Sequence, residues 1–163
     1  WPAKKEFPEL PLVVVGQSLG GAISMRALGE SSDKIKPKVV LIESSFLNYR
    51  SVARSVMSKH WLTWILQPIA WLVADNSKAA GDVVAEISTG CMIVSHGTWD
   101  PVIDFQFGER IFEKAPSPKG IWTLKNAGHI PLFASKDMVD EIFSVFDSGQ
   151  CKSLTYDYAK IKK

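Results

Sequence analysis

Four short apolar runs punctuate this chain, at residues 12–15, 39–42, 91–95 and 120–124. They are dense in β-branched and large apolar side chains and show little polar alternation. That is the pattern of strands buried on both faces, as in a parallel sheet. Between them lie segments with helical patterning. Residues 22–28 read as a helix, with Gly29 placed to cap its C-terminus. Residues 49–74 read as helical with a break at Pro68, and 106–114 as a helix closed by Pro116 and Pro118. From 136 to 146, Ile142, Val145 and Phe146 recur at helical spacing behind Ser135, a capping residue type. Residues 1–11, 31–37 and 75–82 read as loops, and the tail from Gly149 as a polar extension. Strand alternating with helix predicts βαβ units: an α/β fold with a parallel β-sheet flanked by helices. Active residues then belong in loops beyond the carboxyl ends of the strands.

Three of those ends carry chemistry. The first strand runs into Gly16-Gln17-Ser18-Leu19-Gly20, followed by Gly21. Gly-x-Ser-x-Gly between a strand and a helix is a sharp elbow that lifts a serine hydroxyl above the sheet. Side chains two positions to either side would collide, which predicts that glycine is required at both Gly16 and Gly20. The backbone N–H of Leu19, at a helix N-terminus, can donate to a developing oxyanion. The third strand ends in His96-Gly97-Thr98-Trp99-Asp100-Pro101, and the fourth in Asn126-Ala127-Gly128-His129. An acid and then a histidine therefore follow the serine in chain order. His129 is placed to act as general base on Ser18, and Asp100 to orient and stabilise the imidazolium. Two other acids compete with Asp100. Asp104 lies four residues later and can cap the next helix, and Glu43 ends the second strand. His96 reads as a brace for the acid loop.

Four stretches, VVVGQSLGGA (13–22), VVLIESSF (39–46), VSHGTWDPVID (94–104) and NAGHIP (126–131), resemble the α/β-hydrolase superfamily, in particular serine aminopeptidase-like and monoacylglycerol lipase-like hydrolases. The resemblance runs from about residue 11 to 146. It implies Ser18 as nucleophile, Asp100 as acid, His129 as base and the Leu19 N–H as one oxyanion donor. It also implies an incomplete fold. The superfamily places about four strands before the nucleophile strand, whereas seventeen residues precede Ser18 here. The expectation is a single domain over 1–163 that forms the C-terminal half of a hydrolase. Residues 47–80 form a helical cap-like segment within it. The nucleophile strand becomes a bare edge, to be met by a missing N-terminal half or by a second copy. The implied reaction is cleavage of a carboxylic ester, thioester or amide through an acyl-enzyme, with no cofactor. The other reading is an inactive truncated hydrolase that binds partners through that sheet edge.

Composition narrows the partners. In 163 residues, 46% are apolar and 22% charged, enough for a packed core. Nineteen basic residues against seventeen acidic ones give +2, no electrostatic basis for nucleic acid. The six tryptophans include Trp61, Trp64 and Trp71 in the cap-like segment, where Trp64 can line an acyl pocket, pack in a core or touch a membrane surface. Trp99 sits in the acid loop and is a second pocket candidate. The apolar stretch 61–74 is too short to span a bilayer. The two cysteines, Cys91 and Cys151, are far apart and lack metal-ligand spacing, which argues against a disulfide framework and against zinc. Trp1 in place of Met predicts that residue 1 is not a translation start. Few cysteines and no signal pattern lean the location towards cytoplasm.

Overall fold

A computed structural model describes residues 10–59 and 75–160. Five strands form one parallel sheet in the order β1-β2-β3-β4-β5: β1 Val13–Gln17, β2 Val39–Glu43, β3 Met92–Gly97, β4 Lys119–Lys125 and β5 Leu154–Asp157. Among the described residues four α-helices flank it: α1 Ser18–Glu30, α2 Tyr49–Ser58, α3 Phe105–Lys114 and α4 Lys136–Ser148. The continuous apolar runs are explained by the layers. On β2, Val40 and Ile42 pack with Met25 and Leu28 of α1 and Ile111 of α3, while Val39 and Leu41 pack on the opposite face with Met138, Ile142 and Val145 of α4. Side chains alternate across a strand. A strand covered by helices on both sides therefore favours apolar residues on both faces; β2 and β3 are buried throughout, with polar Glu43, Ser95 and His96 towards their carboxyl ends.

Several local expectations are corrected. The helix read over 22–28 begins four residues earlier: β1 runs through Gln17 and α1 begins at Ser18. Gly29 lies inside α1 rather than beyond it. A Cβ there would strike Val83, 2.5 Å from its carbonyl oxygen, so the glycine serves close packing. Ser135 occupies the N-cap position of α4 but its hydroxyl makes no cap; it bonds the Tyr156 hydroxyl at 3.0 Å. Asp104 likewise precedes α3 without capping it. The tail read as polar extension contains β5, paired with β4 from Trp122–Leu154 to Lys125–Asp157. The helical reading of 49–74 holds for Tyr49–Ser58; the remainder of that segment, with Trp61, Trp64 and Trp71, lies outside the described residues.

Cys91 and Cys151 form a disulfide, contrary to the expectation from their spacing. They are 60 residues apart in sequence, but the approach to β5 crosses beside the start of β3, leaving 5.4 Å between Cα atoms. Reducing the disulfide is expected to cost about 3 kcal/mol of stability, by loosening the unfolded chain. Denaturant midpoints with and without dithiothreitol, alongside thiol titration, check this; equal midpoints with two free thiols would refute it.

Candidate active site

The carboxyl edge of the sheet concentrates unusual backbone. Ser18, Ser44, Asn126 and Ile130 have φ of 50°, 47°, 56° and 47°. Left-handed backbone at a non-glycine residue, above all a β-branched one, costs on the order of 1–3 kcal/mol and persists only where the surroundings enforce it. All four lie just beyond β1, β2 and β4, around the candidate residues.

At Ser18 the enforcement comes from the elbow. A Cβ on Gly16 would lie 2.7 Å from the Gly21 Cα, so strand and helix can approach only with glycine at 16. Gly20 corrects the expectation, because a Cβ there meets nothing within 4 Å. The tight second glycine is Gly21, whose Cβ would lie 2.7 Å from Ser45 Oγ. No side chain caps the N-terminus of α1, and its first turn holds no acidic residue. As the second helical residue, Leu19 has an N–H without an intrahelical acceptor.

The acid and the histidine meet. His129 Nδ1 donates to Asp100 Oδ2 at 2.8 Å, with the Asp100 side chain fully buried and the His129 ring partly exposed. Asp100 Oδ1 accepts the N–H groups of Val102 and Ile103, both at 2.9 Å, which fixes the carboxylate plane. Burial pushes the Asp100 carboxyl up. The bonds from His96, His129, Ile103 and Val102 outweigh it and hold the group well below the usual carboxylate range. His96 is buried, donates through Nε2 to Ile103 O at 2.9 Å and lies 3.5 Å from Asp100, as a brace for this loop should.

The acid and histidine loops are also joined by backbone. Thr98 N–H donates to Leu124 O and Trp99 N–H to Ala127 O, each at 2.9 Å, and Asn126 N–H donates to Thr98 Oγ1 at 3.1 Å. Trp99 is thereby held with 71% of its surface exposed beside Asp100.

The competing acids go elsewhere. Asp104 accepts from Ser55 Oγ at 2.5 Å and pairs with Lys59 Nζ at 2.8 Å, tying α2 to the acid loop. Glu43 is wholly buried and makes no hydrogen bond to the histidine ring. It accepts from Gln17 Nε2 at 2.6 Å and from Leu132 N–H at 2.7 Å. It thus bridges the residue before Ser18 and the loop after His129. Ser18 Oγ and His129 are not hydrogen-bonded to each other. Trp64 lies outside the described residues. Among the described residues there is no group of side chains suited to a metal, and no helix is long and apolar enough to cross a membrane.

No family model matches the chain. Protein YfhR of Escherichia coli K12, an uncharacterized protein, is 27% identical over 143 residues, covering 83% of this chain and 46% of YfhR. Its Salmonella typhimurium counterpart is 27% identical over 133 residues, 77% of this chain and 42% of that protein. The chain thus spans less than half the length of the curated relatives it matches. Solved structures are similar at lower identity. The esterase domain of a Rhodothermus marinus protein gives a TM-score of 0.57 at 18% identity, over 91% of this chain and 62% of that one. The Pyrococcus furiosus esterase Pf2001 gives 0.59 at 17%, over 88% and 56%. The esterase of Exiguobacterium antarcticum gives 0.61 at 12%, over 90% and 70%. Five parallel strands flanked by helices, superposing on little more than half to about two thirds of these enzymes, identify the chain as an incomplete α/β-hydrolase fold.

Proposed function

We propose that this chain carries the nucleophile, acid and base of a serine hydrolase that cleaves carboxylic esters, thioesters or amides through an acyl-enzyme. The observation that carries the reading is the 2.8 Å His129–Asp100 bond on the edge where Ser18 stands on a left-handed elbow. With Nδ1 engaged by Asp100, His129 presents Nε2 as the basic nitrogen. In the acylation step Nε2 takes the Ser18 hydroxyl proton as Oγ bonds to the acyl carbon. The carbonyl electron pair moves onto oxygen, where the Leu19 N–H and the α1 dipole stabilise it. Collapse of the adduct expels the leaving group, which receives the proton from His129. Water, deprotonated by the same nitrogen, then releases the acid.

The neighbours of these residues favour an apolar acyl chain. Leu19, Trp99 and Ile130, each adjacent in sequence to one of the three, are 51%, 71% and 42% exposed. Large apolar groups left in solvent around one site suit an apolar ligand. Structural neighbours that are esterases agree with ester substrates. The β1 edge, where Val15 is 40% exposed, is proposed to be covered by further strands of the hydrolase sheet rather than by a second copy.

Labelling with a fluorophosphonate, read by intact and peptide mass, tests the assignment. One adduct on the Ser18 peptide is expected, with none in Ser18→Ala. An adduct retained in Ser18→Ala, or no adduct on the folded full-length protein, would refute it. Labelling that needs the full-length protein and fails on residues 1–163 alone would support the proposed cover for β1. Labelling of a light-scattering dimer of 1–163 would instead assign that edge to a second copy.

A further inference from the structure

Among the described residues, Glu43 is the one fully buried carboxylate near the site that the acyl-transfer steps do not use. It leaves the end of β2 opposite Gln17 in the parallel register, and no part of it is exposed. Both of its oxygens are committed. Oε2 accepts from Gln17 Nε2 at 2.6 Å, immediately before the nucleophile, and Oε1 accepts the Leu132 N–H at 2.7 Å, three residues after the histidine. The next residue, Ser44, accepts the Ile130 N–H on Oγ at 3.3 Å. Two successive residues of β2's end therefore hold the segment that follows His129, across a residue whose φ of 47° is strained for isoleucine.

We infer that Glu43 is a positioning residue for catalysis: it clamps the His129 loop to the nucleophile strand and supplies a second negative charge that steadies the His129 imidazolium. The inference rests on the serine-hydrolase reading above. Its physical basis is the cost of a buried carboxylate. A neutral glutamine could accept the Leu132 N–H and donate to a turned Gln17 amide without desolvating a charge. A charge kept in such a place is favourable where a cation forms beside it. During acyl transfer His129 becomes that cation, flanked by Asp100 on Nδ1 and by the field of Glu43.

The groups facing Glu43 are consistent with this role. Burial raises its carboxyl, and the bonds from Gln17 and Leu132 and the charges of His129 and His96 offset only part of that rise. Tyr158 approaches from the other side. Burial first, and then Glu43 and Tyr156, push the Tyr158 hydroxyl up to about 12, so it stays protonated and donates to Pro131 O at 2.7 Å. The C-terminal segment thus buttresses the same loop without adding charge.

The test compares Glu43→Gln and Glu43→Ala in the full-length protein, with the His129 ring followed by 15N NMR across pH. Glu43→Gln can keep both hydrogen bonds once the Gln17 amide turns its oxygen towards the new donor, so it removes charge and little else. The expected result is a His129 midpoint lower than in the wild-type protein. A kcat about tenfold lower with KM unchanged should accompany it. Glu43→Ala should lose more, because the loop is also released. An unmoved midpoint with wild-type kcat in Glu43→Gln would overturn the inference and leave Glu43 a structural hydrogen-bond acceptor. Should Glu43→Gln fail to fold, the Glu43 carboxyl 13C resonance in the wild-type protein decides. A carboxylate ionised at neutral pH whose shift moves as His129 titrates is expected, and a carboxyl still protonated at pH 7 overturns the inference. The NMR readout needs no turnover, so failure of Ser18 to label would defeat the hydrolase reading while leaving the Glu43–His129 coupling measurable.

Discussion

Asp100→Asn is expected to lower kcat about 10⁴-fold while leaving the protein folded. The carboxylate does three things that an amide cannot do together. Its Oδ1 receives the Val102 and Ile103 N–H groups, its Oδ2 receives the His129 Nδ1–H, and in the proposed mechanism its charge balances the imidazolium. In the asparagine variant, if the amide oxygen keeps the two backbone donors, its NH2 faces His129. The ring must then offer a bare Nδ1 and carry its proton on Nε2, the nitrogen that has to accept the serine proton. Fluorophosphonate labelling rates, measured with substrate kinetics, should fall together. An Asp100→Asn enzyme within tenfold of wild type would shift the acid role to another carboxylate. Of the competitors, Asp104 is engaged with Ser55 and Lys59, which leaves Glu43 facing the histidine.

The same residue sets a pH dependence. The folded-state pKa of Asp100 lies below its ordinary 3.8, because the bonds from His96, His129, Ile103 and Val102 outweigh burial. A depressed carboxylate contributes stability that is complete above the unfolded value and is lost as pH falls through the range below it. Unfolding free energy should therefore drop on acidification below about pH 4. The drop should be shallower in Asp100→Asn, which has no proton to take up at this position.

Gly97→Ala should be the most damaging single methyl in the described structure. A Cβ on Gly97 would overlap Gly128 O and lie 2.5 Å from Ala127 O and 2.9 Å from Ala127 C. These are backbone atoms of the loop that carries His129, and no rotamer change can move them. The end of β3 would have to part from that loop, against the Thr98–Leu124 and Trp99–Ala127 hydrogen bonds. The expected loss is about 3 kcal/mol. For a chain of this size that is roughly 6–12 °C in Tm. Gly20→Ala is the control, since a methyl there meets nothing within 4 Å and sits in a helix. It should leave stability unchanged or slightly raised. Equal losses from the two variants would mean that the close approach of β3 to the histidine loop is not a structural requirement.

How much of this was readable beforehand differs by residue. The placement of Ser18, Asp100 and His129 beyond strand ends was legible because each follows an apolar run, and in a parallel sheet such runs all end on one edge. Gly16 was legible because the elbow geometry is local. Gly20 was misassigned to a steric role because its spacing mirrors that of Gly16, whereas the helix that starts at Ser18 carries position 20 out towards solvent and position 21 inward onto Ser45. The fifth strand was missed because Leu154, Tyr156 and Tyr158 alternate with polar residues in a tail dominated by charge. That alternation was the available signal.

By itself, then, the amino-acid order determined the alternation of strands and helices, the parallel sheet and the residues at its chemical edge. Those properties depend on neighbours a few positions away, through side-chain period and the steric limits of a turn. Tertiary structure alone decided that Asp104 and Glu43 bond elsewhere and not to the histidine ring, that the two cysteines pair, and which residues the buried glutamate joins. Each depends on what lies opposite across the sheet: Glu43 joins residues 26 and 89 positions away, and the cysteines are 60 apart. No local pattern encodes such pairings, because they are set by strand order and register once the whole sheet has closed on its helices.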